Sequence, residues 1–144
     1  MKNNIKTNAP KSLIDLIHHY KIQYGVNPYF DKITIHDTVI QQETLEFLQR
    51  YTKTIDIKDC LVTSKNEGFN ISSYHIRFTR CNFRNLGYVT NSNNNSYITF
   101  IDCDFNNKAL LFFNVKCVDL KMTGSSAINR LIFRKCDIES LLTI

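Results

Sequence analysis

The stretch Ile98-Thr-Phe-Ile-Asp-Cys-Asp-Phe105 has the spacing apolar-x-apolar-x-x-Cys-x-apolar, and that spacing recurs in both directions along the chain. Upstream it appears as Ile76-Arg-Phe-Thr-Arg-Cys-Asn-Phe83 and Ile55-Asp-Ile-Lys-Asp-Cys-Leu-Val62. Before those comes Ile33-Thr-Ile-His-Asp-Thr-Val-Ile40, with Thr38 in the cysteine place. Downstream, Leu131-Ile-Phe-Arg-Lys-Cys-Asp-Ile138 reads the same way. The first four starts, at 33, 55, 76 and 98, are separated by 22, 21 and 22 residues. Such a period predicts a repeat solenoid of parallel β-strands stacked in 20–22-residue coils, rather than a single globular core.

Residues 1–11 are polar and expected to be flexible, and 12–25 read as an amphipathic capping helix. Ser12 is placed to cap it, Leu13, Leu16, Ile17, Tyr20 and Tyr24 form one apolar face, and Gly25 ends it. A first coil has an open strand edge and an uncovered apolar end, which such a helix covers. After the turn signal Asn27-Pro28, the solenoid occupies 32–144 of a single domain. Residues 32–39 are its first strand, and 41–51 carry Leu45, Leu48 and Tyr51 at helical spacing. The stretch 63–74 has few periodic apolar residues and reads as an extended or irregular return, and the Asn/Ser-rich 91–96 as an exposed mobile loop. From Ile98 a tighter five-residue rhythm places Phe100, Cys103, Phe105, Lys108, Leu110, Phe113, Val115, Val118 and Leu120 inward. Residues 125–130 break its phase before Leu131 restarts it.

The segment from Ile33 to Cys60, strand pattern then helical stretch then strand pattern, resembles the leucine-rich-repeat family; over 33–105 that resemblance implies a strand on one side of each repeat and a helix or extended segment on the other. Residues 98–122, with Cys-Asp-Phe-Asn-Asn, Phe-Asn-Val-Lys-Cys and Val-Asp-Leu-Lys-Met, are similar to the pentapeptide-repeat β-helices, which implies a right-handed β-helix. Both families are mostly binding platforms, so the resemblance bears on fold.

Composition narrows the function classes. The chain of 144 residues carries a formal charge of +5, which excludes a strongly negative DNA-mimicking surface and falls short of a dense nucleic-acid-binding cluster. Of the five cysteines, an odd number, at least four hold apolar-facing repeat positions and read as reduced and buried. Cys60, Cys81 and Cys103 hold the same place in successive coils and should stack about 4.8 Å apart as core filler, since a ladder does not converge on a metal. Cys117 falls on an outward step and is expected to be the exposed thiol. No signal-peptide pattern opens the chain, and the longest apolar run, residues 109–113, is too short for a membrane span; a cytoplasmic location is expected.

No chemistry announces itself. His18, His19, His36 and His75 are scattered without metal-ligand or triad spacing, glycine-rich phosphate loops are absent, and no paired carboxylates stand out, so neither a catalytic residue nor a cofactor is expected. Along the outward strand face Asp59, Arg80 and Asp102 alternate in sign, with Asp37 before them and Lys135 in the corresponding place of the last motif, and Asp56 is followed by Arg77. Phe78, Phe83, Phe100, Phe105, Phe113 and Phe133 count as core. Tyr97, Ile101 and Phe112 face outward, extended by Ile132, Leu142 and Ile144. The favoured reading is a non-enzymatic protein-binding module, such as an inhibitor, immunity protein or assembly subunit. Its candidate surface is Arg77, Arg80, Arg84, Tyr97, Ile101, Phe112, Arg130, Ile132, Arg134 and Lys135, on the strand face or the open carboxy-terminal edge. The alternative is a nucleic-acid adaptor using Arg77, Arg80, Arg84, Arg130, Arg134 and Lys135 as a phosphate-binding stripe.

Overall fold

A computed structural model describes residues 3–106, 109–128 and 130–144, with the side chains of 127 and 128 left aside. Lys108 of the five-residue rhythm therefore lies outside the described residues. In chain order the first elements are β1 (Asn4–Thr7), α1 (Pro10–Tyr24), β2 (Phe30–His36), β3 (Val39–Gln41), α2 (Gln42–Leu48) with a 3-10 turn Gln49–Tyr51, β4 (Thr52–Lys58) and β5 (Leu61–Thr63). There follow β6 (Gly68–Ile71), β7 (His75–Thr79), β8 (Asn82–Phe83), β9 (Tyr88–Asn91) and β10 (Tyr97–Ile101). The last are β11 (Leu110–Phe113), β12 (Lys116–Thr123), a 3-10 turn Gly124–Ile128, β13 (Leu131–Arg134) and β14 (Asp137–Thr143).

The strands form three parallel sheets, an arrangement compatible with a β-solenoid. The first sheet runs β1-β2-β4-β7-β10-β12-β14, the second β13-β11-β9-β6 and the third β3-β5-β8. Register follows the sequence period. Ile5, Ile33, Ile55, Ile76, Ile98, Leu120 and Leu141 form one ladder, because each pairs in parallel register with its counterpart about one period earlier. Inside, Phe78 stacks on Phe100 with centroids 5.1 Å apart and Phe83 on Phe105 at 5.0 Å, all four buried. Each such pair adds about 0.5–1.5 kcal/mol beyond burial.

The residue before each repeat cysteine turns the corner between the first and third sheets. Asp37, Asp59, Arg80 and Asp102 have φ of 50, 53, 50 and 51°, and Gly124 completes the column at 62°. Each donates its N–H to a carbonyl about one period further along the chain, the distances running from 2.8 to 3.1 Å: Asp37 to Lys58, Asp59 to Thr79, Arg80 to Ile101, Asp102 to Thr123 and Gly124 to Ile144. Cys60, Cys81 and Cys103 are buried, as the period requires. Each thiol shares its one proton between two carbonyls within reach, that of the residue two positions back across this corner (Lys58, Thr79 and Ile101) and that of a residue on the neighbouring earlier strand (Ile35, Ile57 and Phe78). A cysteine here is small enough for the corner and carries a weak donor that adds to carbonyls already accepting a main-chain N–H.

Several expectations change. Asn4–Thr7 is a strand and not a frayed tail, since Ile5 continues the isoleucine ladder beside Ile33. The helix begins at Pro10, with proline in the first turn and no side-chain cap from Ser12, and stops at Gly25, whose φ of 69° is left-handed. Only Leu13 and Ile17 of its predicted face are buried; Leu16, Tyr20 and Tyr24 are exposed. The 91–96 loop is tied down: Asn91 Nδ2 donates to Lys116 O, Asn93 Nδ2 to Ser72 O, and the buried Ser96 hydroxyl to Ser73 O. The five-residue count keeps Leu110, Val115 and Leu120 buried but takes its two- and three-residue steps in the opposite order between them, so Val118 is only half-buried. Phe112 and Cys117 are buried while Phe113 is exposed, because strict alternation along β11 puts Leu110 and Phe112 on the same face.

The last motif, 131–138, belongs elsewhere. β13 pairs with β11 in the second sheet, so Lys135 stands over Asn114 and not over Asp102. Its corner nevertheless uses the same chemistry: Lys135 has φ 52°, and the Cys136 thiol donates to Arg134 O and Phe112 O.

Candidate binding surface

The outward residues of the first sheet fall into columns. One column runs Lys32, Thr54, His75, Tyr97, Asp119 and Ser140, and beside it run Thr34, Asp56, Arg77, Thr99, Lys121 and Leu142. A third has His36, Lys58, Thr79, Ile101 and Thr123. Across β7, β10 and β12 this face holds a shallow depression of about 400 Å³ lined by His75, Arg77, Tyr97, Thr99, Ile101, Asp119, Lys121 and Thr123.

Aromatic rings cluster at one side of the depression. Tyr97 stacks on His75 with centroids 4.6 Å apart and meets Tyr74 edge-on at 5.4 Å. The Tyr74 phenol beside it raises the Tyr97 hydroxyl above its ordinary range. Neighbouring Arg77 approaches Asp56 Oδ1 at 3.8 Å, and Lys32 holds the other carboxylate oxygen at 2.9 Å. Asp56 is thereby covered to 4% side-chain exposure although it points outward, while Arg77 stays exposed and loosely held. Lys121 reaches Asp119 at 3.5 Å.

The predicted surface residues do not all meet. Arg77, Tyr97 and Ile101 lie together in the depression. Arg80 sits at the corner, its Nε 2.7 Å from Asp59 Oδ1 and its Nη2 2.9 Å from Oδ2. That bond holds the Asp59 carboxyl below its usual range, and Arg80 is occupied locally. Arg84 is exposed beyond β8 in the third sheet. Phe112 is buried and drops out. Arg130, Ile132, Arg134 and Lys135 flank or occupy β13, the edge strand of the second sheet. The six basic residues therefore divide among three sheets and do not form one stripe.

Sequence reasoning passed over His75 and Tyr74. The signal was available, since residues 32, 54, 75, 97 and 119 recur at the coil period, and ring residues occupy two successive places. It also buried the exposed Leu16 and Tyr20, which line a second groove of about 220 Å³ with Ile5, Pro28, Tyr29 and Phe30.

The arrangement offers contact chemistry and no converging reactive groups. Among the described residues no three His, Cys, Asp or Glu side chains could hold one metal ion, and no helix is long and apolar enough to cross a membrane. Burial raises the Cys60 thiol and pushes Cys117 up to about 11; Cys81 is held protonated by its Cys103 neighbour and by burial. None of the three is primed as a nucleophile. No protein-family model, curated protein or solved structure matches the chain.

Proposed function

We propose that the chain is a β-solenoid platform that works as a non-enzymatic binding module for a protein partner, docking through the face of β7, β10 and β12. The corner hydrogen bonds that link every coil to the next support the solenoid reading. α2 is the single helix of the coils among the described residues, and later coils put a strand in its place, which favours a β-helix type of coil over the leucine-rich-repeat type.

The observation that carries the functional reading is the Tyr74–His75–Tyr97 cluster beside the exposed Arg77 and the half-buried Ile101, held on a parallel sheet. Tyrosine and arginine dominate binding hot spots because each presents a large contact area with few torsions to freeze and a polar tip. Arg77, only loosely held by Asp56, can take a partner carboxylate next to an apolar side chain laid on Tyr97 and Ile101. An inhibitor, immunity protein or assembly subunit would use such a face.

The test is affinity capture from the protein's own cells, with the full chain and with a Tyr97→Ala, Arg77→Ala double variant, each at low and high salt. A discrete protein retained by the wild type at high salt and lost with the variant supports the reading. Equal retention by both overturns the choice of face. Nucleic acid released by salt turns the reading towards a nucleic-acid adaptor.

A further inference from the structure

The two ends of the stack are finished differently. At the first end β1 pairs with the edge of β2, and α1 buries Leu13 and Ile17 in the core. The free edge of β6 is met by α2 and the following 3-10 turn: Gln42 Nε2 donates to Gly68 O, Glu46 accepts from Asn70 N at 2.8 Å, and Gln49 Nε2 donates to Asn70 O at 3.1 Å. At the other end β13 and β14 are bare sheet edges. The inward ladders run out into solvent there: Leu141 is 48% exposed where Leu120 beneath it is 0%, and Phe133 is 37% exposed while it stacks on the fully buried Phe112.

The charges on these edges are opposite. Arg130, Arg134 and Lys135 flank β13, and Asp137 and Glu139 lie on β14, all exposed. Among the described residues none of Arg130, Arg134, Asp137 and Glu139 forms an ion pair within the chain. β13 and β14 are consecutive and separated only by the corner Lys135–Cys136.

We infer that this end binds a second copy of the chain, end to end about a two-fold axis through the Lys135–Cys136 corner. Such an axis exchanges the two edges, so β13 of each copy lies antiparallel to β14 of the other. It sets Arg134 against Asp137 of the second copy and Phe133 against Ile138 of the second copy, each contact made twice. The bare edges gain hydrogen-bond partners, and the apolar ladders are closed. A two-fold interface uses the same patch on both copies and closes on itself, so the assembly stops at two. This surface is separate from the face of β7, β10 and β12, and the inference stands independently of what binds there.

Sedimentation equilibrium and light scattering on the full chain test it. A dimer is expected in the micromolar range, and Arg134→Asp or Asp137→Arg alone should weaken it about tenfold or more by setting like charges opposite each other. The Arg134→Asp, Asp137→Arg double variant swaps the pair and should restore the dimer, while circular dichroism stays unchanged throughout. A wild-type chain that is monomeric up to about 100 µM overturns the inference. So do single variants that leave a dimer intact, or a double variant that stays monomeric.

Discussion

Gln49 Oε1 accepts hydrogen bonds from both the main-chain N–H and the hydroxyl of Ser73, at 3.0 and 2.6 Å. The same oxygen accepts from Ser72 N at 2.8 Å, and its Nε2 donates to Asn70 O at 3.1 Å. One buried amide thus does for the edge of the second sheet what a neighbouring strand would do. Gln49→Leu keeps the volume and strands these groups. Each buried unsatisfied group costs about 1–3 kcal/mol, so a loss of roughly 3 kcal/mol in urea unfolding is expected. A loss below about 0.5 kcal/mol would mean that water replaces the amide.

The inward ladder was legible from the sequence because its period is set by backbone stacking, which repeats whatever the side chains. Cys60, Cys81 and Cys103 lie where the 22, 21 and 22-residue spacing puts them. The motif at 131–138 misled for a physical reason. Its spelling encodes a left-handed corner residue followed by a thiol that bonds back across the corner, and that corner serves the second sheet as well as the first. Pattern specified the turn and not the sheet, so Lys135 was stacked on the wrong neighbours. Phe112 and Cys117 were misplaced because the steps after Leu110 run two then three instead of three then two, which leaves Val115 and Leu120 inward and changes the side of the residues between them. The Asp56–Lys32–Arg77 group was invisible because ion pairing across coils depends on side-chain reach, which spacing does not encode.

Thiol accessibility separates the five cysteines. Cys60, Cys81, Cys103 and Cys117 are buried and Cys136, in the last corner, is half-buried. Native protein treated with a maleimide near neutral pH should take one label quickly, at Cys136, with the others following only on unfolding. Mass mapping of the first label decides this, and first labelling at Cys117 would contradict its burial.

Cys117 also predicts an alkaline limit. Burial pushes its thiol up to about 11, against about 8.5 in an unfolded chain. Below that lower value both states keep the proton and the group adds no slope. Between the two values the unfolded chain releases the proton while the fold retains it, so stability falls as pH rises, by at most about 1.4 kcal/mol per pH unit. Cys60, also raised by burial, acts in the same direction. Urea unfolding across this range should show a shallower decline for Cys117→Val than for the wild type, whatever their offset, and parallel curves would remove Cys117 as a contributor.

Arg80 combines two effects that substitution can separate: a left-handed φ of 50° and the Asp59 ion pair. Both side chains are more than a third exposed, so solvent screens the pair and it contributes little. The backbone conformation costs a β-branched residue more, about 1–3 kcal/mol. Arg80→Gly should therefore be nearly neutral, relief of the corner offsetting the lost pair, with Arg80→Ala below it and Arg80→Val lowest. Two positions along the same column, Gly124 occupies the corner at φ 62°, and a Cβ there would overlap the Asp102 carboxylate, which accepts from Ser125 N at 2.9 Å. Gly124→Ala should cost about 2 kcal/mol, from strain and overlap together. Adding Asp102→Ala removes the overlap but not the strain, so thermal unfolding should place the double variant above Gly124→Ala and below wild type. If Arg80→Ala and Arg80→Val prove equally destabilising, the ion pair and not the left-handed corner sets the cost at this column.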